Sequence, residues 1–150
     1  MDDIDRELLA LLLADGRATY QELAKQVRLS ANTTAERVRR LRRAGVIDGY
    51  HADLDLEALG HSLVMLTDIR LREDVLSEDF KESLARLPQV VAAAHTTGEY
   101  DYQLRIACRD AREFERVADQ LKRNHGVRES RSRLLLSELP LGPDRLLHHA

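Results

Sequence analysis

The 150-residue sequence has few aromatics, 4% in all, and no Trp. Its cores must therefore be built from Leu, Val, Ile and Ala, within an apolar share of 43%. A single cysteine, Cys108, excludes an internal disulfide, and no Cys/His spacing suits zinc. Cys108 lies on the apolar side of an alternating run, which predicts a buried thiol. The six histidines include His51, His61, His95 and His125, scattered along the chain, and His148-His149 near its end, so no metal is expected. No stretch approaches the roughly 18 apolar residues of a membrane span. The opening MDDIDRELLALLLADGR carries acids where a signal peptide needs positive charge. No Ser-His-Asp or Cys-His arrangement stands in a catalytic context, and there is no Gly-rich phosphate loop. These absences predict a soluble cytoplasmic protein that is not an enzyme and needs no cofactor, metal or membrane.

The charge that is present is unevenly placed. Net charge is −3, yet residues 25–43 hold seven basic side chains (Lys25, Arg28, Arg37, Arg39, Arg40, Arg42 and Arg43) against one acid, Glu36. Residues 51–150 hold 14 basic and 18 acidic side chains. A localised basic stripe on an acidic body is the footprint of a nucleic-acid reader, although a solvated helix face has the same composition.

Position decides between them. Ile4, Leu8, Leu11 and Leu12 mark an amphipathic helix opened by Asp2 or Asp3 and stopped at Asp15-Gly16. Thr19 and Glu22 have the spacing of a capping box for a short second helix burying Leu23, Ala24 and Val27. Ser30 caps a third helix that runs to Gly45. Only Arg28 and Leu29 separate the second and third helices, so the two must cross. Arg28 occupies a turn position that requires φ > 0, at a cost of about 1 kcal/mol for a non-glycine.

At 100° per residue, centring the third helix on Val38 turns Thr34, Ala35, Leu41 and Arg42 inward. Asn32, Thr33, Glu36, Arg40 and Arg43 then face outward, with Arg37 and Arg39 on the flanks. Polar groups suited to base edges precede guanidinium groups suited to phosphates, the order expected of a recognition helix. The DNA-contacting set read from this helix is Ser30, Asn32, Thr33, Glu36, Arg37, Arg40 and Arg43.

The run DIDRELLALLLADGRATYQELAKQV, followed by LSANTTAERVRRLRRAGVIDGY, resembles the N-terminal domain of the Lrp/AsnC, or feast/famine, regulators. HTTGEYDYQLR in the second half resembles that family's effector-binding domain, so the likeness covers essentially the whole chain. It implies a transcriptional regulator that assembles as a homo-oligomer, with the dimer as the unit. It further implies binding of double-stranded DNA at a pseudo-palindromic site and response to an amino acid or related metabolite.

Val46 to Leu54 has extended character, and Asp55 to Leu59 forms a helical turn closed by Gly60. Beyond it, residues 62–72 alternate, with Leu63, Met65, Thr67, Ile69 and Leu71 on one side. Ser77 caps a helix carrying Phe80, Leu84 and Leu87, ended by Pro88. Val90 to Thr97 is a second strand, and a third places Tyr100, Tyr102, Leu104, Ile106 and Cys108 on one face. Asp110 opens a helix closed at Asn124-His125-Gly126, and Val127 to Ser137 is the last strand. The order βαββαβ is ferredoxin-like, with helices on one sheet face and Val64, Leu66 and Ala107 on the other. The expected fold is therefore α+β. Residues 1–47 form the helix-turn-helix domain, 48–61 an extended linker, 62–138 a ferredoxin-like effector and oligomerisation domain, and 139–150 a loosely held tail.

His95 to Asp101 combines a Gly turn, two hydroxyls and two carboxylates. Exposed amides there can hold a carboxylate, while Asp101 or Glu99 can pair with an ammonium. A polar hairpin turn has the same composition. The resemblance favours the ligand, with Thr97, Gly98, Glu99, Tyr100 and Asp101 as contacts and Arg133 approaching from the last strand. Glu99 stands where many relatives carry Asp. The alternatives are an architectural DNA binder whose second domain only oligomerises, an RNA-binding sheet using Tyr100 and Tyr102, and a small enzyme. The tyrosines lack the basic-Gly-aromatic context of an RNA-binding sheet, and no acid–base pair stands out for an enzyme.

Overall fold

The computed structural model describes residues 1–148, with only the backbone at His148; the last two positions of the expected tail lie outside the described residues. The chain divides into two compact units. One comprises Met1–Asp53 together with the chain from Leu139, and the other Leu54–Glu138.

The first unit contains α1 (Asp3–Ala14), α2 (Tyr20–Val27) and α3 (Ala31–Arg43). Each begins on a side-chain cap: Asp2 and Thr19 in reciprocal capping boxes, and Ser30 through the Thr33 amide. Arg28 adopts φ 55°, ψ 43°, the left-handed conformation the tight turn requires. The amides of Arg28 and Leu29 both donate to the Ala24 carbonyl, closing α2. Gly45, at φ +70°, ends α3 in a Schellman motif: its amide donates to Arg42 and that of Val46 to Leu41. Leu8, Leu23, Val27 and Val38 form the core, flanked by Ile4, Leu11, Leu12, Leu29 and Ile47.

Two expectations for this unit need correction. Arg42 is exposed, its guanidinium 5.7 Å from the Tyr50 ring centroid, because the last turn of α3 runs past the small core. Residues 143–148 of the expected tail are not a loose arm. Pro143–His148 forms a 3-10 turn against α1, where Leu146 and Leu147 join Leu9, Leu12, Leu13 and Tyr50 around a cleft of about 500 Å³.

The second unit contains β1 (Leu63–Leu71), α4 (Ser77–Leu84), β2 (Val90–His95), β3 (Tyr102–Cys108), α5 (Ala111–Asn124) and β4 (Val127–Leu134). The sheet order is β2-β3-β1-β4 with every neighbouring pair antiparallel, which is the ferredoxin-like topology. Ile69, Tyr102, Leu104, Ile106 and Cys108 point into the core with Phe80, Leu87, Val117, Leu121 and Val127. Burial pushes the Cys108 thiol up to about 11, leaving it protonated at neutral pH.

Several details differ from expectation: α4 stops at Leu84, β2 stops at His95, and β3 starts at Tyr102, leaving Tyr100 outside the strand. Leu76, not Ser77, occupies the N-cap of α4, without a side-chain cap; the Ser77 hydroxyl instead meets the Tyr102 hydroxyl. β4 ends at Leu134, three residues early. Ala107 is buried within its own unit, so it adds nothing to the apolar surface of the open sheet face.

Candidate DNA-reading and effector sites

The buried side of α3 is Thr34, Ala35, Val38 and Leu41, all under a tenth exposed. Asn32, Thr33, Glu36, Arg39, Arg40 and Arg43 lie exposed on the outside. Ser30, also exposed, is committed to capping: its hydroxyl accepts from the Thr33 amide and meets the Thr33 hydroxyl at 2.8 Å. Glu36 binds Arg43 at 2.7 Å and Arg39 at 3.4 Å. The Arg43 hydrogen bond, with Arg39 contributing less, holds the Glu36 carboxyl below its usual range. This exposed pairing is weak and salt-screened, so both arginines can turn to a phosphate at little cost.

Arg37 and Arg40 are placed differently. Nη1 of Arg37 donates to both Asp2 oxygens, at 3.0 and 2.8 Å, and to Asp5 Oδ1 at 2.9 Å. Nη2 of Arg40 donates to Asp5 Oδ1 and Oδ2, at 3.1 and 2.9 Å. Asp5 is 1% exposed and Arg37 is largely covered, whereas Arg40 remains half in solvent. The bond from Arg37, then that from the Asp5 amide, lowers the Asp2 carboxyl from its ordinary value. Sequence reasoning missed this junction, although one signal was available. Asp5 falls on the apolar stripe of α1, three, four and seven residues before Leu8, Leu9 and Leu12, where an acid needs a partner.

Thr97, Gly98, Glu99, Tyr100 and Asp101 come together in the connection between β2 and β3. Gly98 has φ +104°, open to glycine and strained for other residues. The Thr96 amide donates to the Asp101 carbonyl at 2.9 Å. Asp101 Oδ2 accepts from the Leu71 amide at 2.7 Å, tying the turn to the end of β1. Arg70, which the sequence did not single out, braces the turn. Its Nε donates to the Glu99 carbonyl, its Nη2 pairs with the Glu99 carboxylate at 3.1 Å, and it lies 5.6 Å from the Tyr100 ring centroid. Only tertiary pairing reveals this role, since the two residues are 29 positions apart.

Arg133 does not join the turn within one chain. It is paired with Leu66, four residues along β1 from Arg70 and roughly 13 Å away at the rise of a strand. Its guanidinium meets Asp68 at 2.9 Å on the open sheet face, where Asp68 also accepts from Gln103. Among the described residues no cluster of His, Cys, Asp and Glu could hold a metal, and no helix is long and apolar enough to cross a membrane.

Two family models match. Residues 1–48 fit a winged helix-turn-helix DNA-binding domain, and residues 65–143 fit the Lrp/AsnC ligand-binding domain. The chain is 36% identical to the transcriptional regulator LrpA of Mycobacterium tuberculosis over 137 residues, covering 91% of each. Among solved structures it resembles a transcriptional regulator of Neisseria meningitidis in complex with L-Met. That match has a TM-score of 0.87, 31% identity, and 96% and 95% of the two chains covered. It also resembles AsnC of Escherichia coli, with a TM-score of 0.79, 27% identity and 95% of each chain covered.

Proposed function

Because this chain belongs to the Lrp/AsnC family of helix-turn-helix transcriptional regulators, we propose that it binds a particular, roughly palindromic double-stranded DNA site and is tuned by an amino acid or related metabolite. The observation that carries the DNA half is the outer surface of α3. It offers Asn32 and Thr33 at its N-terminal end, then Glu36, Arg39, Arg40 and Arg43, while Val38 and Leu41 point inward. In a dimer, two such helices would enter successive major grooves about 34 Å apart.

Support for assembly comes from the sheet unit. The edge strand β2 leaves Val91 to His95 exposed, and the sheet face away from the helices keeps Val64 and Leu66 only partly covered. Joining dimers would raise avidity through effective concentration. An effector at a contact between dimers would then act by changing assembly, without touching the DNA reader.

The effector half draws on the L-Met held by the Neisseria relative and on the β2–β3 turn. Asp101 is the group suited to an ammonium, since Oδ1 accepts no hydrogen bond among the described residues while Oδ2 is engaged by Leu71. A reducing cytoplasm suits the lone buried thiol.

The test is selection of duplexes from a random pool, followed by solution mass and thermal midpoint across a panel of amino acids. The expected result is one enriched, near-symmetric sequence and a shift with at least one amino acid. Asp101→Asn, which retains an acceptor for the Leu71 amide, should abolish that shift without unfolding the turn. A pool with no enrichment sinks the specific-regulator reading. An enriched site with a silent panel would instead support an architectural DNA binder.

A further inference from the structure

The arginines of α3 fall into two sets by what they touch. Arg39 and Arg43 are exposed and share Glu36, a neighbour on their own helix. Arg37 is 22% exposed and crosses to another helix, where one nitrogen makes three hydrogen bonds to two carboxylates. Those carboxylates are themselves locked. The Asp5 amide donates to Asp2 Oδ1 at 2.9 Å, and the Asp2 amide donates to Asp5 Oδ2 at 3.2 Å. Both acids sit at the N-terminus of α1, where the helix dipole also favours negative charge. With its side chain 22% exposed, against 56% for Arg40, and Nη1 committed to two carboxylates, one of them almost fully buried, Arg37 has little guanidinium surface left to offer a phosphate.

We propose that Arg37 does not contact DNA. It is a positioning residue that, with Asp2 and Asp5, fixes the rotation of α3 so that Asn32 and Thr33 face the bases and Arg43 faces the phosphates. This rests on the DNA-binding reading above and deepens it. Arg40 combines both roles, one nitrogen on Asp5 and the rest of its guanidinium in solvent. Base contacts depend on the angle of the helix, while non-specific affinity depends on the number of phosphates neutralised. A positioning arginine and a phosphate arginine therefore leave different signatures.

The experiment uses the full chain, the duplex recovered by selection and a random duplex, each titrated over a range of salt. Arg43→Ala, the reference phosphate contact, should reduce the slope of log K against log salt by about 1. Arg37→Ala should leave that slope at the wild-type value on the random duplex, while the ratio of specific to non-specific affinity falls by about 5- to 150-fold, since one mismatched base pair costs about 1–3 kcal/mol. Arg37→Lys should restore the ratio, because one nitrogen makes all three bonds and an ammonium can replace it. A slope lowered by about 1 in Arg37→Ala with the ratio intact would overturn the proposal, as would failure of Lys to rescue. Circular dichroism monitors folding, and Arg37→Gln replaces the Ala variant if the latter is unfolded. A wild type that does not distinguish the two duplexes points to failure of the specific-regulator reading itself, which is a separate outcome.

Discussion

The two units of this protein are held together by different means. The helical unit centres on a core cluster of four aliphatic side chains, with Leu9, Ala24, Ala35 and Leu41 also buried, held by three capped helices and a cross-helix cluster of two acids and two arginines. The sheet unit encloses ten, including Phe80 and Tyr102 with ring centroids 5.0 Å apart. Where the core cluster is small, directional polar bonds help set the geometry, and they tie it to charge, salt and pH. Where it is larger, packing sets the geometry, and buried polar groups such as Glu113 and His125 sit at helix ends rather than orienting one helix on another. A DNA reader built the first way keeps its helix angle through bonds a single substitution can remove.

The largest effect expected from breaking this contrast is in the sheet core. Ile106→Ala, at a fully buried position in β3, should cost about 3–4 kcal/mol in denaturant unfolding. Gly126→Ala comes next, at about 2–3 kcal/mol, from its φ of +70° and the collision of a new Cβ with the Val75 side chain. Pairing it with Val75→Ala should recover the steric part alone. If the double variant is no more stable than the single, the collision is not the cause.

Acid should expose the polar bonds of the sheet unit. The Arg109 amide, then the Arg109 guanidinium and Gln89, hold the Glu113 carboxyl down to about 2. A lowered carboxylate contributes stability that is full above the ordinary range near pH 4.5 and is lost as pH falls towards 2. Glu113→Gln should flatten that limb of the stability profile. His125 is lowered first by burial and then by Arg86, with Nδ1 meeting Ser83 at 2.8 Å. Its contribution is full above the ordinary histidine value near 6.5 and declines as pH drops below it, so His125→Gln should flatten that second, milder limb.

The smallest effect has the opposite sign. Thr34 is fully buried in α3 and its hydroxyl finds no partner among the described residues. Thr34→Val should stabilise the helical unit by about 1 kcal/mol, measured as a raised unfolding midpoint. A loss of stability would mean that the hydroxyl is satisfied in solution.

Legibility followed the same division. Capping by Asp2, Thr19 and Ser30, the left-handed Arg28 and the inward set Thr34, Ala35, Val38 and Leu41 were all readable, because each depends on residues within one or two helical turns. The angular reading failed at Arg42, where the helix outruns its core. Ser77 has the composition of a cap, but its hydroxyl is drawn 25 positions along the chain to Tyr102. The polar turn from Thr97 to Asp101 was visible by composition. Its bracing by Arg70 and the separation of Arg133 from it were not, because both depend on strand register.

From the amino-acid order alone came the three helices of the first unit with their caps, the βαββαβ succession and the outward side of α3. Short-range hydrogen bonds and apolar periodicity act between near neighbours, so a linear reading can recover them. Folding alone decided that Arg37 bonds to α1, that Asp101 anchors β1, and that residues 143–148 return to the helical unit. Those choices depend on which distant groups packing brings within about 3 Å of one another, where burial makes an unpaired charge too costly to leave.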